Sequence, residues 1–151
     1  MKSFIKTLLR ECLLNENIQV LRVDDIDDDD FYDSLLNQSE NLLKSGEIGF
    51  GQADLFGALI NDNKLIGATW ADVSGTFSFH IIIKPEYRNK GYSKLLLDDL
   101  FNKYKEMQSY RGSNFKMRVN VVNDNLAKTL SKYYGLKVID NKDSHTVIMG
   151  N

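Results

Sequence analysis

Residues 85–98 read PEYRNKGYSKLLLD. The branched run Ile81-Ile82-Ile83 comes just before, and a leucine-rich helical pattern follows. Between them, Arg88, Lys90 and Lys94 gather around a single glycine, Gly91. A helix N-terminus exposes about four unpaired N–H groups and carries roughly half a positive charge, so it receives an anion readily. A glycine at the entry removes the Cβ that would keep the backbone from a phosphate. Successive turn amides can also form a concave anion nest. The stretch therefore reads as a strand-to-helix turn suited to a phosphate or pyrophosphate. It is not a Walker A loop, because the second glycine and the Gly-Lys-Ser/Thr ending are missing. Nor is it the three-glycine dinucleotide fingerprint, which belongs to a parallel βαβ unit.

The strands ahead of the turn read as antiparallel. LFGALI (55–60) and KLIGATWADV (64–73) form a hairpin around Asn61-Asp62-Asn63, and Ser74-Gly75-Thr76 turns the chain into FSFHIIIK (77–84). Pro85, the only proline, closes that third strand because it cannot donate to a ladder. A helix is predicted from about Tyr92 to Met107, with Leu95, Leu96, Leu100, Phe101 and Tyr104 on one side. FKMRVNVV (115–122) follows as a strand, then DNLAKTLSKYY (124–134) as a helix capped by Asp124 and ended by Gly135. LKVID (136–140) and HTVIMG (145–150) complete the sheet. Upstream, Phe4, Ile5, Leu8, Leu9, Cys12 and Leu13 mark an amphipathic first helix that packs on the core or on a second subunit. IQVLRV (18–23) is a first strand. The acidic run at 24–30 suits a helix start better than a calcium loop, because the EF-hand glycine and spaced glutamate are absent. A helix then runs to Gly46, and residues 47–57 are glycine-rich and irregular.

The chain of 151 residues reads as one domain, 1–151, with 42% hydrophobic and 26% charged residues arguing against disorder. A net charge of −2 gives no support to nucleic-acid binding. No apolar run approaches the ~20 residues that cross a bilayer, and the N-terminus lacks the apolar core and cleavage site of a signal peptide. Cys12 is the only cysteine, which suits a reducing cytoplasm. Two histidines and one cysteine, far apart, do not form a metal-ligand spacing.

Strand, Pro-Glu-Tyr-Arg-x-x-Gly-x-small and leucine-rich helix together resemble the central motif of the GNAT N-acetyltransferases. Here the motif reads Arg88-Asn89-Lys90-Gly91-Tyr92-Ser93, with Ser93 where the family usually has glycine or alanine. VNVVNDNLAKTLSKYYGLKVI (119–139) is similar to the family's second motif. The resemblance covers nearly the whole chain. It implies an α/β (α+β) fold: a mostly antiparallel, twisted mixed sheet of about six to seven strands flanked by about four helices.

The resemblance also implies acetyl-CoA as the acyl donor and no metal. Its pyrophosphate would lie on the amides of Asn89, Lys90, Gly91, Tyr92, Ser93 and Lys94, with Arg88 leading in. The backbone of Ile81, Ile82 and Ile83 would pair with the pantetheine arm, and an N–H there would polarise the thioester carbonyl. The family's helix-start asparagine falls on Asp124, and a one-residue shift makes Asn123 or Asn125 the match. The family's tyrosine acid falls on Ser131, and the glutamate base of some relatives falls on Val119. Substitutes are available. Tyr134 can protonate the leaving thiolate or pack beside Leu130, and His80 or Asp72 can serve as a base or be ordinary surface residues. In this family the acceptor enters near residues 24–57 and 139–146; His145 can line a cleft there, and Phe50 and Trp70 can shape a pocket, although large aromatics at such positions are more often core. The acidic run there favours a cationic amine, such as a polyamine, a lysine side chain or a protein N-terminus, or else only caps a helix. The expected activity is N-acetylation of a primary amine. The competing reading is a GNAT-shaped module that binds acyl-CoA or a protein without catalysis. A homodimer is the expectation by analogy.

Overall fold

Asp62 and Asn63 decide the first hairpin. Both adopt left-handed backbone, with φ of 49° and 64°, as a two-residue type I′ turn requires and as Asp and Asn tolerate. They join β2 (Leu55–Asn61) to β3 (Lys64–Asp72). β4 (Ser78–Ile83) pairs antiparallel with β3, and β1 (Ile18–Arg22) with β2, in the order β1-β2-β3-β4. The computed structural model describes residues 17–22, 25–42, 55–143 and 146–151. The expected first helix with Cys12, the Gly46 terminus, Phe50, Asp24 and His145 lie outside the described residues.

β3 is buried from Leu65 through Ala71 because both of its faces are covered. On one face, α1 (Asp29–Leu42) sets Leu35 against Ala58, Ile60, Leu65, Ala68 and Trp70. On the other, α2 (Tyr92–Arg111) sets Leu96 against Leu59, Ile66 and Ile83. Gly67 leaves room beside its cross-strand neighbour Ile83. A Cβ there would lie 2.6 Å from the Ile83 Cδ1 and 3.0 Å from the Ile82 carbonyl oxygen.

The second sheet contains β5 (Arg118–Val121), β6 (Lys137–Asn141) and β7 (Val147–Gly150), antiparallel in the order β5-β7-β6. α3 (Asp124–Tyr134) connects β5 to β6. Phe77, Phe79, Leu97, Phe101 and Tyr104 meet Val119, Val121, Leu130 and Met149 in one core that joins the sheets.

The two sheets touch through a parallel bridge, Phe77 to Met117. The Phe77 N–H donates to the Lys116 carbonyl at 2.8 Å, and the Arg118 N–H to the Phe77 carbonyl at 3.0 Å. The Tyr104 hydroxyl donates to the Phe115 carbonyl at 3.0 Å, and Asn151 Oδ1 accepts from the Met117 N–H at 2.9 Å, so this end is pinned. Among the described residues, β4 and β5 pair nowhere past it, and the sheets part.

The seven strands among the described residues and their antiparallel pairing agree with the expected fold, whose single mixed sheet is here two sheets joined by that bridge. Three α-helices lie among the described residues, with a 3₁₀ turn at Pro85–Tyr87. α2 extends past Met107 to Arg111, where Gly112 at φ 96° ends it. Its buried face includes Leu97 and Met107, while Leu95 is half-buried. Asn123, not Asp124, caps α3: its backbone is extended, which lets Oδ1 accept from the Leu126 N–H at 3.1 Å. Asp124 then opens the first turn. None of the described helices is long and apolar enough to cross a membrane.

Candidate functional site

The gap between the sheets is edged by β4. In an antiparallel ladder each residue turns its N–H and C=O to one side, and successive residues alternate. The Lys84 N–H donates to the Ile66 carbonyl on β3 at 2.8 Å, whereas Phe77 bonds toward β5. Phe79, Ile81 and Ile83 share the parity of Phe77, so their backbone groups face the gap. The Ile83 carbonyl accepts from Arg88 Nε at 2.9 Å. That bond fastens the guanidinium across the junction of strand and turn.

The turn itself departs from ordinary backbone twice. Asn89 has φ 61° and Gly91 has φ 83°, both left-handed. Alternation of left-handed and ordinary residues points successive amides inward, as in an anion nest. Gly91 is the N-cap of α2 and brings no side chain to its opening N–H groups. The first turn of α2 also has no acidic residue. The other two described helices are closed differently. Asp28 Oδ1 accepts from the Phe31 N–H at 3.0 Å, with Asp29 and Asp30 opening α1, and α3 has Asn123 and Asp124. The positive end of α2 is therefore uncompensated by its own side chains, which is the electrostatic condition for holding an anion.

Strand edge, turn and α3 enclose a cleft of about 660 Å³. Ile81, Ile82 and Ile83 form its strand wall. Arg88, Asn89, Gly91, Tyr92 and Ser93 form the turn wall, and Asn123 and Asn125 stand at the start of α3. All ten are residues that the sequence singles out. Tyr87, Leu126, Lys128 and Thr129 also line it and were missed. The signal for three of them was available: Leu126 lies three places after Asn123, and Lys128 and Thr129 lie three and four places after Asn125 on a helix.

Lys90 and Lys94 are not among the lining residues. The Lys90 ammonium sits 5.7 Å from the Tyr87 ring centroid. The Lys94 ammonium lies 3.3 Å from Asp98 Oδ2 and 5.5 Å from the Tyr133 ring centroid. Both flexible side chains take the nearest π-face or carboxylate, and their charge reaches the cleft through space.

The three candidate proton-handling residues are not brought together at the cleft either. Tyr134 stacks on Phe101 with centroids 4.2 Å apart, and its hydroxyl donates to Asp98 Oδ1 at 2.5 Å. Burial first, then the hydrogen bond to and charge of Asp98, push its phenol well above the usual range. A phenol so held gives up its proton poorly. Ser131 is exposed on α3. His80 is exposed on β4 and stacks on Trp70, its cross-strand partner, with centroids 5.0 Å apart. Asp72 Oδ1 accepts from the Ser74 N–H at 2.9 Å and from the Ser74 hydroxyl at 2.7 Å, so it builds the β3–β4 turn. Val119 is buried in the core.

No family model matches the sequence, and no curated protein does. Solved structures do match. Arabidopsis thaliana Naa50, in complex with the bisubstrate analogue CoA-Ac-MVNAL, superposes with a TM-score of 0.60 at 13% identity, over 89% of this chain and 98% of its own. An acyl-CoA N-acyltransferase from Pseudomonas aeruginosa gives a TM-score of 0.62 at 9% identity, over 89% and 97%. An acetyltransferase of the GNAT family from Streptococcus pneumoniae gives 0.51 at 14% identity, over 88% and 99%. Likeness at such identities is likeness of fold, and the chain has the fold of the GNAT acyl-CoA N-acyltransferases.

Proposed function

We propose that this chain is an acetyl-CoA-dependent N-acetyltransferase that passes the acetyl group to a primary amine by direct attack. One observation carries the reading: a cleft joins a strand edge that is unpaired among the described residues to a helix N-terminus that has no side-chain cap and no acidic first turn. The two ends suit the two halves of one ligand. A pantetheine arm with its amides would extend β4 along the backbone of Ile81 and Ile83. The pyrophosphate would sit on the amides around Asn89, Gly91, Tyr92 and Ser93, with Arg88 at its side. An N–H at Ile81 would face a thioester carbonyl and stabilise the oxyanion that forms as the amine attacks. The amine must lose a proton and the thiolate must gain one. His80, exposed on β4, suits a base acting through water. Asn125 and Thr129 offer polar contacts from α3 to the donor. The reaction needs no metal, and the cytoplasm is the compartment we assign.

A catalytically weak, acyl-CoA-binding module is the second reading. The observation in its favour is the commitment of the Tyr134 hydroxyl to Asp98, away from the cleft lining. The acidic run at the start of α1 supports a cationic acceptor only weakly, since Asp28 is engaged as a cap.

The test is calorimetric titration with acetyl-CoA, followed by acetyl transfer to a panel of polyamines, lysine peptides and peptides with free N-termini. Binding together with transfer is the expected result. Binding without transfer selects the module. No binding at millimolar ligand overturns both readings.

A further inference from the structure

The last carbonyl that β4 turns to the gap is that of Ile83, and it is occupied. Beyond it the chain folds back at once. The Tyr87 N–H donates to the Lys84 carbonyl at 2.9 Å, and the Arg88 N–H to the Pro85 carbonyl at 3.2 Å. This short turn brings Arg88 back beside the strand end, where its Nε donates to the Ile83 carbonyl at 2.9 Å across five residues. Arg88 is exposed and stands on the cleft wall, so the bond is made where strand edge and anion turn meet.

A chain that extends a sheet edge uses the outward N–H and C=O groups of alternate residues. On β4 those residues are Phe79, Ile81 and Ile83. The bridge at Phe77 closes one end of the run, and the Arg88 bond removes the Ile83 acceptor at the other. An added N–H set opposite Ile83 would meet a guanidinium, which accepts nothing. The run is thereby centred on Ile81, whose N–H and C=O both face the gap.

We propose that Arg88 is a positioning residue: its Nε–H closes the Ile83 carbonyl and so sets the register in which the pantetheine arm extends β4. The proposal rests on the acyl-CoA reading of the cleft. On this assignment the place of the N–H matters more than the charge behind it. The side-chain nitrogen of glutamine stands as many bonds from Cα as the Nε of arginine, and it donates without charge. Lysine keeps the charge but has a methylene at that place, with its ammonium farther out. Glutamine should therefore preserve the register and lysine lose it. A side chain that only attracts phosphate would give the reverse order.

The experiment follows amide hydrogen exchange at Phe79, Ile81 and Ile83, residue by residue, in the wild type, Arg88→Gln and Arg88→Lys, with and without acetyl-CoA. The ligand is raised until each protein is saturated, so differences in affinity drop out and no turnover is needed. Arg88 is exposed, and circular dichroism checks the fold of each variant. In the wild type, saturation should slow exchange at Ile81 about tenfold or more. Arg88→Gln should keep that slowing to within about twofold, and Arg88→Lys should lose most of it. Equal slowing in the wild type and Arg88→Lys, or equal loss in both variants, overturns the positioning role and leaves the acyl-CoA reading in place. A saturated wild type with unchanged exchange at Ile81 overturns it as well, because the arm then does not extend the strand. If the wild type binds no acetyl-CoA at millimolar ligand, both readings fall together.

Discussion

Reversing the charge of Lys90 and Lys94 tests whether the turn works by its field. Both side chains lie outside the cleft lining, on the Tyr87 ring and on Asp98 with Tyr133. Their effect on a bound pyrophosphate should therefore be that of screened exposed charges. Take about 9 Å to a ligand of roughly two negative charges, with water's dielectric. Each Lys→Glu change then costs about 1.8 kcal/mol before screening. With a Debye length of about 8 Å at physiological salt, roughly a third survives, or about 0.6 kcal/mol per residue. The double variant Lys90→Glu/Lys94→Glu should thus bind acetyl-CoA about tenfold more weakly at that salt. At about 0.01 M salt the Debye length is near 30 Å, and the loss should grow to about a hundredfold. The assay is calorimetry or competition fluorescence at both salt concentrations, with thermal melts to confirm folding. Equal affinity of variant and wild type at low salt would refute the reasoning. A loss of equal size at both salts would mean direct contact in place of a field.

Asn123→Ala removes the α3 cap on the Leu126 N–H. Urea denaturation should show a loss of about 1 kcal/mol. Tyr134 gives a pH prediction. Its phenol is raised in the folded state above the usual ~10. Its contribution to stability is thus fully present below pH ~10 and is lost as pH rises further. Tyr134→Phe should flatten that alkaline decline in melts above about pH 10, and an unchanged slope would count against a phenol held up by burial and Asp98. His80→Gln should lower kcat/KM for an amine by about a hundredfold or more if His80 is the base. Activity within twofold of wild type would remove it from that role. Ser131→Ala should leave kcat/KM unchanged within twofold, since the hydroxyl is exposed and away from the cleft.

Much of this architecture is set by local physics. The Asp62-Asn63 turn, Pro85 after β4, Gly112 after α2 and Gly135 after α3 act within a few residues of themselves, and each falls where its backbone preference demands. So does the Gly91 turn: its conformational freedom, the adjoining cations and the leucines after it are all readable along the chain. Tertiary structure decided what those local features face. No local rule states that, among the described residues, β4 would meet the second sheet at the Phe77 bridge and leave its edge open past it. That follows from packing Phe77, Phe79 and α2 against β5, β7 and α3 around one core. Long flexible side chains were equally beyond the sequence. Lys94 had several partners within reach and went to Asp98 and Tyr133, while Tyr134 went to Phe101 and Asp98 across residues far apart in the chain. Backbone conformation is chosen largely by neighbours in sequence, whereas a charged or phenolic side chain chooses among neighbours in space, and those exist only once the chain has folded.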